Sequence, residues 1–466
     1  YANPALLILS AVLVGALGFL NTWDLPAFGS LLILLVIARN FRISRDWNLT
    51  ARYSLGFLLP LGMVAVVAYL PFYVTFHSQA SGLGAVANSA TTPRHLAMFW
   101  LPLAIVTLPV PLVRLYEERA AITGQRVLAV LSVPLAILVV WAVVLGSNDI
   151  NLGDAISARG ANWITAFAVA ALFCASALAL WRQAEIGDEA DDEPGLVPLL
   201  ALTTVASLLV LGTEFFFIKD VFGSRLNTVF KLYYQAWLML GASGGFGLYW
   251  MVERWRPEAR SAGEVVRGAW AGVATLVIIG ALLYPIGATL SRTTGLAGTQ
   301  TAVRQPDGTT KNISTRTLDG LAFVKRNSPD EIGAVKWVHD RAGIGERIVE
   351  AVLGQYSAGG RIAERSGVPT VVGWAQHEVQ WGRSADLANA RANDVDRAYT
   401  TDSLPEALDI LRKYDVTYVV VGSVEKSKYP APGIQKFNDL QSVYTNGSMT
   451  IFRVPIDQAA PTGSAP

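Results

Sequence analysis

The segment that decides the reading runs Glu214-Phe-Phe-Phe-Ile-Lys219-Asp220-Val-Phe-Gly-Ser-Arg225-Leu-Asn227-Thr-Val-Phe-Lys231-Leu-Tyr233-Tyr234-Gln235-Ala-Trp237. It joins two apolar runs, Leu196–Leu211 and Val229–Val252. Spanning a hydrocarbon core of ~30 Å takes roughly 17–25 apolar residues in a helix. Working outward, seven more stretches approach that length: Pro4–Leu20, Trp23–Ala38, Tyr53–Phe76, Leu96–Leu115, Val127–Leu145, Trp163–Trp181 and Ala269–Ile286. A soluble helix would carry charge along one face, and these runs do not. The expectation is a multi-pass α-helical membrane protein of about nine spans.

The charges in the opening segment then need a reason. If its helix starts near Ser224, residues Asn227, Lys231, Tyr234 and Gln235 follow i, i+4, i+7, i+8 and form one polar stripe, with Arg225 just above. Residues 1–300 contain sixteen arginines and only two lysines, and both lysines, Lys219 and Lys231, lie here. Cations lining a water-filled membrane cavity suit a phosphate or pyrophosphate head group. Snorkelling of long cationic side chains to the interface is the plain alternative. Glu214 and Asp220 supply carboxylates to the same segment. Further on, Gly241 and Gly245 have GxxxG spacing and predict close helix packing.

Whole-chain composition conceals this arrangement. Of 466 residues, 52% are hydrophobic and 16% charged, with net charge +1. Such a balance excludes a disordered chain, a coiled coil and a basic nucleic-acid binder. The single cysteine, Cys174, excludes a disulfide framework and reads as a small buried hydrophobe. The chain begins without methionine, close to an apolar run that lacks a signal peptide's charged start and cleavage site, so the expectation is a longer parent protein.

Orientation follows from cations in short loops. With Tyr1 cytoplasmic, inside loops hold twelve arginines and outside loops five cations: Arg94, Arg159, Lys219, Arg225 and Lys231. Nine spans then place the C-terminal region outside the cell membrane. The outside face also carries Asn21-Thr22-Trp23-Asp24-Leu25-Pro26, where Asp24 reads as a helix cap or as a metal or substrate ligand. Loop 77–95, with His77, Arg94 and His95, is long enough to lie over a cavity.

Residues 1–290 therefore read as the transmembrane domain and 291–466 as an extracytoplasmic α/β domain. Thr299–Thr317 reads as a loose linker. Capping boxes at Ser328–Glu331 and Ser403–Glu406 start helices. Ile348–Val352, Thr370–Val372 and Thr417–Val421 read as strands, and Gln441–Tyr444 with Met449–Arg453 as an edge hairpin. The loop Gly373-Trp374-Ala-Gln376-His377-Glu378-Val-Gln380-Trp381 follows a strand end, the usual ligand position in such sheets. Trp374, His377, Glu378 and Trp381 could stack on and hydrogen-bond a sugar, or the loop could be structural and dock onto the membrane half. Gln355–Arg361 could bind phosphate through backbone N–H groups or be a turn before a helix.

Three motifs together, "GFLNTWDLP", "FIKDVFGSRLNTVFKLYYQAW" and the tail "VVGWAQHEVQWG" with "YVVVGSVE", resemble the Chlor_Arch_YYY membrane proteins. That bacterial and archaeal family has unknown function and is suspected to belong with the GT-C glycosyltransferases. The family's tyrosine-rich motif and a "GDLH"-like acidic motif do not occur here, so the resemblance implies a C-terminal fragment, about two-thirds of a longer protein, with its main catalytic aspartate upstream. It places Asn21, Trp23, Asp24, Lys219, Asp220, Asn227, Lys231, Tyr233, Tyr234 and Gln235 on family motif positions. It implies transfer from a polyprenyl-phosphate sugar at the outer membrane face to a glycan, lipid or protein acceptor, with a divalent metal, Mg or Mn, bridging carboxylate and phosphate. Lys219, Arg225 and Lys231 would hold phosphate, and Asp24, Glu214 or Asp220 would stand in for the missing acid. The rival readings are a transporter or flippase, which calls for charges near the midplane and repeated halves, and a non-catalytic envelope scaffold.

Overall fold

A computed structural model describes residues 3–76, 78, 80–186, 195–220, 223–294, 300–304, 309–314 and 319–455. The chain divides into two compact units, Tyr1–Pro285 and Ile286–Pro466.

The first unit is helical: α1 (Pro4–Leu20), α2 (Asp24–Ser44), α3 (Trp47–Ala68), α4 (Leu70–Thr75), α5 (Pro93–Thr107), α6 (Pro109–Glu117), α7 (Gly124–Ser147), α8 (Leu152–Arg159), α9 (Trp163–Ile186), α10 (Leu196–Phe215) and α11 (Leu226–Tyr249). Helix α12 (Ala262–Thr294) runs across the boundary. Among the described residues, six helical segments are long and apolar enough to cross a membrane: α2, α3, α7, α8 with α9, α10 and α12. The α5–α6 pair, bent by 45°, makes a seventh if it counts as one span. The proline ring and missing N–H of Pro109 account for that break. Of the nine expected spans, two fall short. Helix α1 has only 17 residues, and in α11 the polar and tyrosine-rich start and four later glycines dilute the apolar run.

Helix α10 is the hub of this unit, with 67% of its apolar window buried, chiefly between α9 and α11. By contrast α12 is 6% buried there and apolar all round, as a lipid-facing helix is. Leu13, Val67, Leu128, Val143 and Leu276 likewise leave more than half their surface uncovered. A layer of lipid is the environment that satisfies them. Glycine spacing brings α11 onto α5, but through Gly244 and Gly247 rather than the expected pair. A Cβ on Gly247 would lie 2.5 Å from the Val106 carbonyl oxygen, whereas Gly241 and Gly245 face open space.

One connection missed by periodicity is a small antiparallel pair. Strand β1 (Leu83–Ala85), inside the long loop before α5, pairs with β2 (Phe216–Ile218), just after α10. Ser81 N donates to Lys219 O and Lys219 N to Gly82 O, both at 2.8 Å. His77 lies outside the described residues.

In the second unit, β3 (Gln300–Arg304) and β4 (Thr310–Ser314) form a hairpin where a loose linker was expected. Then come α13 (Ala322–Asn327), α14 (Pro329–Arg341), β5 (Ile348–Val349), α15 (Arg361–Ser366), α16 (Ala375–Gln380), α17 (Ala385–Thr400), α18 (Leu404–Lys413), β6 (Tyr418–Val421), α19 (Ser423–Lys428), α20 (Ala431–Gln435), β7 (Gln441–Asn446) and β8 (Met449–Arg453). The sheet order is β5-β6-β8-β7, with β5 and β6 parallel and the β7–β8 hairpin at the edge. Thr370 adds a single parallel bridge to Ile348 rather than a full strand. Tyr399 ties the sheet to α17 by donating from a fully buried hydroxyl to Val420 O at 2.8 Å. The predicted box at Ser328 does not close, because Glu331 turns instead to Arg361 at 2.8 Å.

Candidate functional site

Antiparallel packing gathers the end of α10, the start of α11, the ends of α1 and α7 and the starts of α2, α5 and α9 at one end of the bundle. Seven of the membrane-half candidates fall into three groups there, with Lys231 and Tyr234 outside them.

The deepest group surrounds Glu214, which is fully buried. Its carboxylate accepts from the Thr91 N–H at 3.0 Å, from the Thr91 hydroxyl, and from Arg225 Nη1 at 3.1 Å. Arg225 also donates to Thr213 O and Thr91 Oγ1. Beneath them lies Arg159, 1% exposed. Its Nη2 donates to Val86 O at 2.9 Å and to Glu214 O at 2.5 Å. The rings of Trp141, Trp163 and Phe215 surround its guanidinium at 4.6–5.2 Å, and Trp141 Nε1 shares the Val86 carbonyl. Arg159 thus clamps the β1 loop to the end of α10, with cation–π contacts offsetting part of its lost hydration. No sequence pattern distinguished it from any other loop arginine.

The second group lies along β2 and the start of α11. Lys219 Nζ donates to Asn148 Oδ1, an amide that balances no charge. Asn227 Nδ2 donates to Asp220 Oδ2 at 2.8 Å. The third group joins three helices: Asn21 Nδ2 and Gln235 Nε2 both donate to Asp24 Oδ1, the former at 2.8 Å. Asp24 is the first residue of α2, but its side chain does not cap that helix.

Lys231 lies one turn before Gln235 on the same face of α11. It is half-buried and, among the described residues, has neither a hydrogen bond nor an ion pair. Tyr234, expected on the stripe, is 70% exposed and packs beside Phe230. Its neighbour Tyr233 is half-buried against Trp100.

Among the described residues, no three His, Cys, Asp or Glu side chains come close enough to hold a metal ion. Glu214 spends its oxygens on Thr91 and Arg225.

The second unit holds Trp374, His377, Glu378 and Trp381 in and beside α16. Glu378 accepts from Gly373 N at 2.9 Å and from Arg383, so its charge is used within the loop.

Fold and surface define a polytopic helical membrane protein. The chain belongs to the DUF2298 family of uncharacterized membrane proteins, whose profile matches residues 2–240. That stretch runs from α1 into α11 and includes the whole bundle-end cluster, but not the Trp374 loop. No curated protein and no solved structure matches the chain.

Proposed function

We propose that this chain forms part of a membrane-embedded glycosyltransferase that takes a sugar from a polyprenyl-phosphate carrier at the outer face of the cell membrane. The observation that carries the reading is Lys231, a half-buried cation without a counter-ion among the described residues, in a polar cluster at a bundle end. A cation placed so, with Lys219 bonded among the described residues to an amide alone, suits an anionic head group.

Gln235, one helical turn (~6 Å of rise) beyond Lys231 on α11, donates to Asp24. Asp24 Oδ1 takes two donors, while no hydrogen bond from the described residues reaches Oδ2. In the proposed step Oδ2 takes the proton of the acceptor hydroxyl. The hydroxyl oxygen bonds to the anomeric carbon, and the bond from that carbon to the phosphate oxygen breaks. The electron pair stays on the phosphate, where Lys231 and Lys219 stabilise the charge. Glu214 orients Arg225 rather than acting on substrate, and Asp220 orients Asn227. Polyprenyl-phosphate-dependent transfer should be lost in Lys231→Ala and partly kept in Lys231→Arg, measured with the whole protein in lipid. Normal turnover by Lys231→Ala would exclude the assignment.

A further inference from the structure

The loops that follow two neighbouring parallel strand positions meet at one edge of the second unit's sheet. One follows β5 and carries Gln355 and Tyr356; the other follows Thr370 and carries Trp374, His377 and Trp381. Their rings form a continuous chain. Tyr356 lies 5.3 Å from Trp374 and 6.0 Å from His377, and His377 lies 5.8 Å from Trp374 and 6.3 Å from Trp381. Tyr356 and Trp381 are each 73% exposed, an unusual state for large rings beside a well-packed sheet. Gln355 Nε2 donates to Gln376 Oε1 at 2.9 Å, joining the two loops and leaving further amide donors and acceptors at the rim. Trp374 Nε1 is buried without a partner among the described residues.

From this geometry we infer a glycan-binding platform built by Tyr356, Trp374, His377 and Trp381, with Gln355 and Gln376 as its polar rim. Aromatic faces next to amides match a ring that is apolar on its C–H face and hydroxylated at its edge. Glu378 is neutralised by Arg383 and Gly373 N, so the surface suits an uncharged ligand. Trp and Tyr also favour membrane interfaces, but small and polar residues, Gly354, Ser357 and Gln376 among them, are exposed beside these rings. Support from below is firm. Arg361, at the base of the Tyr356 loop, is 2% exposed and meets Glu425 through two 2.9 Å bonds.

The inference deepens the transferase reading by giving the acceptor a chemical class, yet its test is binding rather than turnover. Whole protein in nanodiscs is titrated with maltohexaose, cellohexaose and chitohexaose while tryptophan emission is followed. At least one should give saturable quenching. Trp381→Ala and Tyr356→Ala should each raise the half-saturation concentration about five- to tenfold, the size of one aromatic contact, with unchanged thermal unfolding. Saturable binding by none of the three sugars, or binding unaffected by both variants, would overturn the platform. So would quenching of the Trp381 contribution (wild type minus Trp381→Phe) by brominated phospholipid, which would assign the rings to the bilayer. Sugar binding with transfer absent would remove the transferase reading alone; transfer without sugar binding would remove the platform alone.

Discussion

Arg361 is buried among Glu331, Glu350 and Glu425, so three carboxylates share one guanidinium, with Arg365 reaching only Glu331. The excess negative charge falls on Glu350. Complete burial pushes its carboxyl up to about 7, against the pull of Arg361 and of the Ala363 and Ile362 N–H groups. Burial also opposes charge on Glu425, but its two bonds from Arg361 and those from Ala351 and Gly422 hold it below the usual value. The signs follow. Between pH 4.5 and about 7 the folded state holds a proton on Glu350 that the unfolded chain has released. Stability therefore falls as pH rises through that window, by at most ~1.4 kcal/mol per pH unit. Glu425 acts oppositely and loses its contribution as pH drops below the ordinary glutamate range. Glu350→Gln should flatten the upper slope and leave the acid-side loss, as read from hydrogen-exchange protection of β5 and β6 at several pH values.

Helix contacts depend on where small residues fall relative to a neighbour, not on their spacing alone. Gly244 and Gly247 meet α5 at Val106, whereas Gly241 and Gly245, with the better-known spacing, meet nothing within 4 Å. Gly247→Leu should force α5 and α11 apart and cost ~1–3 kcal/mol, the usual penalty of overpacking. Gly245→Leu should be tolerated. Thermal inactivation in detergent, followed by size-exclusion chromatography, separates the two. The β1–β2 pair shows the same principle. Leu83–Ala85 is too short and too rich in small residues to announce a strand, and it becomes one because Phe216–Ile218 offers an unpaired edge at the bundle end.

At the scale of the molecule, the arginine asymmetry gives a topology that can be measured. Reporter fusions should place the Arg39–Arg52 loop and the C-terminus on opposite sides of the membrane, with the C-terminus outside. A C-terminal reporter on the cytoplasmic side would mean an even number of crossings and would count against the proposed outer-face transfer.

Much of this was legible in the sequence because hydrophobic burial is additive along a chain. Unbroken apolar runs, the concentration of both membrane-half lysines in one segment, and the strand–helix alternation after residue 320 each follow from local composition and period. The sequence by itself determined a helical membrane protein with a sheet-bearing C-terminal unit, and it singled out Asp24, Glu214, Lys219 and Lys231. Only the tertiary structure decided their standing. It buried Glu214 as the anchor of Arg225, joined Asp24 to Gln235 across 211 residues of sequence, left Lys231 without a counter-ion among the described residues, and turned Tyr234 outward. It also recruited Arg159, Thr91 and Tyr356. The reason is physical: whether a charge is spent or available depends on which distant groups share its burial, and that is a property of packing, not of neighbours in the chain.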